Sequence, residues 1–112
     1  MIGKNQRISK NRIAWLLKKG RKLNDDNFSV KFELNKGQLN RYSVVVSKKT
    51  LKLATDRNLL RRQIYSALRD PVISNNSIDF VIFVKSTALK LDFQELQEKL
   101  IKLIEKITSQ PK

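Results

Sequence analysis

The segment IDFVIFVK, residues 78–85, decides the fold class that the sequence predicts. Its middle is apolar without alternation, which is typical of a β-strand that other elements cover on both faces. A last helix follows and begins at Asp92, because Glu95 three residues later completes a capping box. We expect the inner face of this helix to carry Phe93, Leu96, Leu100, Leu103, Ile104 and Ile107.

The segment before this strand predicts a basic helix. Thr55 or Asp56 can cap its start. The pair Asp70-Pro71 ends it, because a residue before proline is pushed out of the helical region. Its buried side chains recur at helical spacing and are Leu60, Ile64, Ala67 and Leu68. A neighbouring polar stripe consists of Arg57, Asn58, Arg61, Arg62, Tyr65 and Arg69.

Two further strands are predicted earlier in the chain. Apolar and polar side chains alternate over residues 28–34, which is the period of a half-buried strand. Residues 42–47 read as a second strand, and residues 35–37, Asn-Lys-Gly, are typical of a turn. The sequence therefore predicts that these two strands pair as a hairpin.

The first predicted helix begins after Ser9, whose side chain can cap it. Ile13, Leu16 and Leu17 recur at helical spacing, and Gly20 can end the helix in the left-handed conformation. The elements then follow the order helix, strand, strand, helix, strand, helix. This order predicts an α+β fold, with three helices packed on a small mixed sheet.

The length of 112 residues is usual for one domain, and we therefore predict a single domain over residues 1–112. No stretch approaches the roughly 20 apolar residues of a membrane span, and the start lacks the apolar core of a signal peptide. We expect a soluble, cytoplasmic protein without membrane contact.

Composition excludes several kinds of chemistry. The chain has no His and no Cys, which removes imidazole bases, thiolate nucleophiles and the usual zinc ligands. Self-contained hydrolytic catalysis is therefore not expected. Asp25 and Asp26 are an acidic pair that can attract Mg²⁺, but an acidic pair in a predicted loop is more often solvated. We predict no metal site on the protein.

The charge is large and polarised. There are 24 Lys and Arg residues against 10 Asp and Glu residues, a net charge of +14. Residues 1–22 carry +8 and residues 41–69 carry +7, whereas residues 70–112 are balanced. Basic blocks can be merely solvated faces, but two blocks with almost no acid repel themselves unless a polyanion is bound. The pattern favours a nucleic-acid partner.

Trp15 lies one position off the apolar stripe of the first helix. Its indole can stack on an unpaired base, and partial burial against the edge of the sheet is the alternative. The residues alone leave both open.

At residues 46–49, VSKK, and 57–62, RNLLRR, the chain resembles the protein subunit of bacterial ribonuclease P. That family has a strand ending in Ser-Lys-Lys and then a basic helix with an Arg-Asn-Arg-type motif. Residues 17–22, LKKGRK, and 79–85, DFVIFVK, are similar to its first-helix ending and its last strand. The similarity extends over about residues 7–107.

The chain departs from the family pattern at several positions. Leu59 stands where the third member of the Arg-Asn-Arg motif is usual, and Tyr65-Ser66 stands in place of a common Arg-Glu pair. Ile13 and Leu17 replace two aromatic side chains that line the family's leader-binding cleft.

The resemblance implies a two-layer fold like that of a ribosomal-protein domain, with a four-stranded sheet and a left-handed crossover. It also implies an accessory subunit of an endoribonuclease that removes the 5′ leader from precursor tRNA. Catalysis would belong to the RNA subunit and its Mg²⁺ ions, so the protein itself would carry no catalytic residue. The implied partners are the catalytic ribonuclease P RNA and precursor tRNA.

Two groups of site residues follow from this resemblance. The catalytic RNA would contact Lys48, Lys49, Arg57, Asn58, Arg61, Arg62 and Arg69. The single-stranded leader would lie in a cleft between the first helix and the sheet, near Ile13, Leu17, Phe28 and Lys31. A structural RNA-binding protein of ribosomal type is the alternative, and a DNA-binding protein is less favoured because no paired recognition helices are predicted.

Overall fold

A computed structural model describes residues 8–37, 39–69 and 77–108 of the chain. The helices are α1 (Lys10–Lys19), α2 (Ala54–Ala67) and α3 (Phe93–Thr108). The strands are β1 (Arg21–Asn24), β2 (Phe28–Leu34), β3 (Arg41–Val45) and β4 (Ile78–Val84). A short 3-10 helix, Ser86–Lys90, leads from β4 towards α3. The predicted α+β class with three helices on a mixed sheet is confirmed.

The four strands form one sheet in the order β1-β2-β4-β3. β4 pairs antiparallel with β2 and parallel with β3, so the last strand of the chain lies inside the sheet. α2 joins the parallel neighbours β3 and β4 as a crossover. The left-handedness of this crossover stays a prediction from the family resemblance.

The predicted hairpin of β2 and β3 is wrong, because β4 lies between these strands. The turn chemistry is nevertheless present, since the Gly37 amide donates to Asn35 Oδ1 at 2.7 Å. Its loop is tied to the start of β4 instead: the Asn35 amide donates to the Ser77 carbonyl at 2.7 Å, and Ser77 Oγ donates to the Gly37 carbonyl at 2.6 Å. The turn therefore leads around β4 to the far edge of the sheet.

β1 is a strand that the sequence reading missed. It has four residues, Arg-Lys-Leu-Asn, and pairs antiparallel with β2 at the edge of the sheet. Leu23 is its one apolar side chain and packs against the core. One apolar residue in four gives no measurable alternation, and the pairing with β2 is what makes this segment a strand.

The main core lies between one face of the sheet and the helices α2 and α3. Phe28, Val30 and Phe32 of β2 are buried beside Phe80 and Ile82 of β4. The helices α2 and α3 supply the other side of this core, with Leu60, Ile64, Ala67, Leu96, Leu100, Leu103, Ile104 and Ile107. The rings of Tyr42 and Phe80 stack with centroids 5.3 Å apart. Most predicted inner-face residues of the two helices are thus confirmed.

The start of α3 follows the predicted capping box. The Asp92 amide donates to Glu95 Oε1 at 3.1 Å, and the Glu95 amide donates to Asp92 Oδ1 at 2.8 Å. The prediction that Phe93 faces inward is wrong, because its side chain is 43% exposed. Phe93 is the first residue of the helix and precedes the first buried position, Leu96, by almost one turn.

The ends of the other helices differ from the prediction in part. Ser9 caps α1 as expected, accepting from the Arg12 amide at 3.2 Å. α2 begins at Ala54 after Leu53, so neither Thr55 nor Asp56 is its cap. Gly20 is not left-handed but extended, with φ −70° and ψ 153°. Glycine is needed there for space, since a Cβ atom would lie 2.5 Å from the carbonyl oxygen of Leu16.

Candidate nucleic-acid interface

A fully buried carboxylate, Asp79 in β4, binds two arginines from distant elements. Arg41 of β3 donates from Nε to Oδ1 at 2.6 Å and from Nη2 to Oδ2 at 2.7 Å. Arg12 of α1 donates from Nε to Oδ2 at 2.8 Å, and Asn35 donates from Nδ2 to Oδ1 at 2.9 Å. We call these four residues the Asp79 cluster.

The electrostatics of the Asp79 cluster keep the carboxylate charged. Burial alone would raise the pKa of Asp79, but hydrogen bonds from Arg41, Arg12 and Asn35 outweigh this effect and lower the pKa below its ordinary value. The hydrogen bond to Asp79 correspondingly raises the pKa of Arg41. A buried charge whose oxygen atoms are all bonded in this way fixes its partners in position.

The Asp79 cluster attaches α1 to the sheet on the face opposite to the main core. Asp79 alternates with Phe80 along β4, so its side chain points away from α2 and α3. Leu16 of α1 and Val81 of β4 are also fully buried, yet neither belongs to the main core. By the strand register, this second face of the sheet comprises Lys22, Asn24, Ser29, Lys31, Glu33, Arg41, Ser43, Val45, Asp79, Val81 and Phe83.

α1 covers only part of the second face. Its first turn is held at the Asp79 end of the sheet, and its C-terminal end passes through Gly20 into β1. Leu16 points to the sheet, and Ile13 and Leu17 lie on one side of it. On this side of α1, the second face continues with Ser29, Lys31, Ser43, Val45 and Phe83. We call these residues together with Ile13 and Leu17 the cleft, after the leader-binding cleft that the family resemblance implies.

The structure brings three of the four predicted cleft residues to this place. Ile13 is half-buried and Leu17 is 43% exposed on α1, and Lys31 is half-buried on the second face opposite Val81. Phe28 is not in the cleft, because it alternates with Ser29 and is fully buried in the main core. The prediction for Phe28 is therefore corrected.

Phe83 is an aromatic side chain of the cleft that sequence reasoning missed. It pairs with Ser29 and Val45, lies on the second face and is half-buried. The sequence contained this information, because side chains alternate along a strand: Phe80 and Ile82 point to one face of the sheet, and Phe83 points to the other. A strand read as buried on both faces gave no reason to separate its two aromatic residues.

The basic stripe of α2 is largely open to solvent, as the sequence predicted. Arg62 is exposed, and Arg61 is half-buried and donates from Nη2 to Asn58 Oδ1. Arg69 is also exposed but lies two residues beyond the end of α2, and the predicted helix end at Asp70-Pro71 lies outside the described residues. Arg57 is half-buried and donates from Nη1 to the carbonyl groups of Leu51 and Lys52, both at 2.8 Å. Arg57 therefore also holds the loop between β3 and α2 against the helix.

The loop between β3 and α2 presents Lys48 and Lys49, which are both exposed. Ser47 shapes the turn, since its carbonyl accepts from the amides of Thr50 and Leu51, each at 3.1 Å. The turn leads directly to the loop that Arg57 holds. We call the two lysines, the three arginines of α2, Asn58 and the following Arg69 the cationic surface; it comprises Lys48, Lys49, Arg57, Asn58, Arg61, Arg62 and Arg69.

Tyr65 does not belong to that surface as a contact residue. Its hydroxyl oxygen accepts from the Val44 amide at 3.1 Å, and its ring packs against the core. In the sheet formed by the described residues β3 lies at the edge, so this bond satisfies a backbone donor that has no strand partner there. The sequence placed Tyr65 on the basic stripe, and the structure gives it this supporting role.

Other features offer little chemistry. Among the described residues, no group of three or more Asp and Glu side chains could hold a metal ion. Asp25 accepts from the amides of Asn27 and Phe28, each at 2.7 Å, and so shapes the turn between β1 and β2. A pocket of about 190 Å³ lies beside this turn and is lined by Asn24, Asp25, Lys99, Lys102, Leu103 and Lys106.

In the part of the chain that the structure covers, no helix has the length and apolar character needed to cross a membrane.

An α+β fold with basic side chains along an exposed helix, in a chain with a net charge of +14, is typical of proteins that bind nucleic acid. The family model of ribonuclease P matches residues 2–108, and the chain belongs to the ribonuclease P protein family. It is therefore an RNA-binding accessory subunit of the ribonuclease P holoenzyme, and its expected RNA partner is that of the family.

Relatives and solved structures agree with this assignment. The chain is 31% identical over 95 residues to the ribonuclease P protein component of Mycoplasma pneumoniae, covering 85% of this chain and 80% of the relative. It is 31% identical over 108 residues to that of Mycoplasma mycoides, covering 93% and 98%.

Solved structures from two other bacteria are similar. The ribonuclease P protein of Thermotoga maritima is 26% identical, with a TM-score of 0.80 and coverage of 89% and 96%. That of Staphylococcus aureus is 26% identical, with a TM-score of 0.79 and coverage of 93% and 95%. These matches give no support to the alternative of a ribosomal-type structural protein.

Proposed function

We propose that residues 1–112 act as one cytoplasmic RNA-binding domain that uses two separate surfaces in ribonuclease P. The cationic surface of the β3–α2 loop and α2 binds phosphates of the catalytic RNA. The cleft beside α1 binds the single-stranded 5′ leader of precursor tRNA, which the RNA subunit then removes. Chemistry stays with the RNA subunit and its Mg²⁺ ions, and the protein supplies binding and charge.

The observation that carries this proposal is the separation of the two surfaces by the sheet. α2 packs on the face that holds Phe80, whereas α1 is tied to Asp79 on the opposite face. One RNA molecule can therefore occupy α2 while another lies beside α1. Bringing two polyanions together is costly, and a protein with a net charge of +14 between them reduces the Mg²⁺ needed.

The cleft has the chemical character that an unpaired leader requires. Lys31 can neutralise a phosphate, Ser29 and Ser43 supply hydroxyl groups, and Phe83 offers an aromatic surface beside the apolar Val45. Ile13 and Leu17 of α1 form an aliphatic wall where other family members have aromatic residues. We therefore expect van der Waals contact from α1 and aromatic contact from the floor of the cleft.

Leader removal from precursor tRNA tests the proposal as a whole. The chain is added to a bacterial ribonuclease P RNA at low Mg²⁺, and cleavage is followed over time. Restored cleavage supports the proposal, and an absence of stimulation with a compatible RNA contradicts it. Affinity for the RNA should fall on the order of a thousandfold between 50 and 200 mM salt if about six phosphates are neutralised, and a flat response contradicts that contact number.

Matched charge variants separate the two surfaces. The double variant Arg61→Ala, Arg62→Ala should weaken assembly with the catalytic RNA. The control Lys99→Ala, Lys102→Ala removes two charges from α3, on the pocket side, and should leave assembly near that of the unmodified chain. If both doubles weaken assembly equally, the effect is one of total charge and the α2 surface is not specific.

The leader site has its own pair of variants. Lys31→Ala should reduce the preference for a substrate with a leader over mature tRNA, whereas the exposed Lys36→Ala should not. Equal preference in all three proteins would remove Lys31 from the leader site.

A further inference from the structure

Trp15 is the single tryptophan of the chain and lies on the surface, with its side chain 41% exposed. The guanidinium carbon of Arg12 lies 4.5 Å from the centroid of the indole ring. This distance is typical of a cation–π contact. One face of the ring is therefore backed by a charged group, and the exposed remainder of the ring faces solvent.

Arg12 is not a freely moving side chain. Its Nε donates to Asp79 at 2.8 Å, and its Nη2 donates to the carbonyl oxygen of Leu34 at 2.7 Å. Because the Asp79 carboxylate is itself buried and bonded to Arg41, the guanidinium is fixed on the sheet. The indole rests on this fixed group, so little side-chain entropy remains to be lost when a ligand packs on it.

This indole lies outside the cleft. On α1, Leu16 points to the sheet, and successive residues are rotated by about 100° around the helix axis. Ile13 and Leu17 therefore lie on the cleft side of Leu16, whereas Arg12 and Trp15 lie on the other side. A ligand on Trp15 does not occupy the same space as a leader in the cleft.

The surroundings of Trp15 attract nucleic acid. α1 contains Lys10, Arg12, Lys18 and Lys19 and no acidic residue. Phosphate groups are drawn to such a segment, and an unpaired base has the flat π surface that an indole binds. A helix or strand of a protein partner would need a larger apolar surface than one ring. Acidic side chains could bind the basic residues of α1 but would make no favourable contact with the indole.

We propose that the Arg12–Trp15 pair is a stacking platform for one unpaired RNA base outside the leader cleft. The proposal rests on the proposed function only in that the chain binds RNA with unpaired segments. The proposed base contact is at Trp15, which belongs neither to the Arg-Asn-Arg-type motif of α2 nor to the cleft.

Fluorescence of Trp15 tests the contact directly, because no other tryptophan contributes. The full chain is titrated with an eight-nucleotide, mixed-sequence single-stranded oligoribonucleotide. The control is an abasic oligomer of the same length, which keeps the phosphates and lacks the bases. We expect quenching with the first oligomer and little change with the second.

Affinity measurements on variants provide the second readout, using anisotropy of a labelled oligomer. Trp15→Leu, which keeps an apolar side chain without a π surface, should weaken binding about tenfold, as expected for the loss of one base stack. Trp15→Phe should keep most of the affinity. Phe93→Ala removes a similarly exposed aromatic residue from α3 and should have no effect. Thermal unfolding shows whether each variant is folded.

The outcomes separate this proposal from the proposed function. If the oligomer binds without quenching and Trp15→Leu binds as tightly as the unmodified chain, the platform is wrong and the cleft proposal stands. Equal affinity for the abasic oligomer would also overturn base stacking. If the unmodified chain binds no single-stranded oligomer, both proposals fail.

Discussion

The Nε atom of Arg12 lies 2.8 Å from Oδ2 of Asp79, although the two residues are 67 positions apart in the chain. This bond joins the first helix to the strand inside the sheet, and it determines where α1 crosses the second face. Arg41 makes a bidentate contact with the same carboxylate from the neighbouring strand. The position of one wall of the cleft thus depends on a single buried side chain.

Replacing this side chain should destabilise the fold. Asp79→Asn leaves two arginines without their counter-charge, and breaking a buried pair costs about 3–5 kcal/mol. Because the arginine side chains are 24% and 33% exposed, water can solvate them in part and we expect about 2–3 kcal/mol. Urea unfolding measures the difference. Glu33→Gln breaks the more exposed pair with Arg21 and should cost at most about 1 kcal/mol; equal losses would contradict the burial argument.

The same carboxylate gives stability a defined dependence on pH. The pKa of Asp79 is lowered on folding, so its ionised form stabilises the native state at and above the ordinary pKa of 3.8. This contribution is complete near neutral pH and is lost as the pH falls below 3.8 towards the lower native pKa. In urea unfolding, the difference between the unmodified chain and Asp79→Asn should be constant from pH 7 to about pH 5 and smaller below pH 3.8. A difference that grows on acidification would be inconsistent with a lowered pKa.

Gly20 should tolerate no side chain. A Cβ atom there would lie 2.5 Å from the Leu16 carbonyl oxygen, which is backbone and cannot rotate away. We expect Gly20→Ala to destabilise the protein by about 1–3 kcal/mol, the usual cost of overpacking. At Gly37 the corresponding contact is longer, 3.2 Å to the side-chain atom Asn35 Oδ1, and a shift of a few tenths of an ångström relieves it. Gly37→Ala should therefore lower the thermal midpoint much less, and the reverse order would rule out the steric explanation.

Tyr65 should matter for the sheet edge and not for RNA. Tyr65→Phe removes the acceptor of the Val44 amide, and an unsatisfied buried donor costs about 1–3 kcal/mol. Hydrogen exchange should show faster exchange at Val44, while affinity for the catalytic RNA stays unchanged. A loss of RNA affinity in a variant with normal stability would return Tyr65 to the cationic surface.

The parts of the fold that local chemistry specifies could be predicted from the sequence. The capping box of Asp92 and Glu95 and the helical spacing of Leu96, Leu100 and Leu103 act within a few residues, and the structure confirms them. The basic stripe of α2 was also visible, because one helix carries it. Such features need no knowledge of the distant chain.

The parts that failed depend on distant pairing. The turn at residues 35–37 favours a hairpin of β2 and β3. In the structure β4 pairs with β2 over seven residue pairs instead, and β3 lies on the other side of β4. β1 is a strand only because β2 is beside it. Asp79 is a polar residue near the start of an apolar strand, and nothing in its sequence spacing from Arg12 and Arg41 indicates that they bind it.

The site was limited in the same way. Alternation in β2 showed that Phe28 and Lys31 point to opposite faces, yet the family resemblance grouped both in one cleft. Which face the first helix covers is settled by the Asp79 cluster, which joins residues from four separate segments. Because α1 lies on the second face, the aromatic residue of the cleft is Phe83 and not Phe28.

The insertion of β4 between β2 and β3 has a consequence for the newborn chain. A polypeptide that has been synthesised only as far as α2 can pair β1 with β2, but it lacks the strand that joins β2 to β3. We therefore expect β3 to join β1 and β2 in one sheet only in a late step on the ribosome, after β4 leaves the exit tunnel, because distant pairings form only when both segments are available. For most of the synthesis the apolar sides of β2 and β3 are therefore not yet covered, and they can aggregate until the sheet is complete.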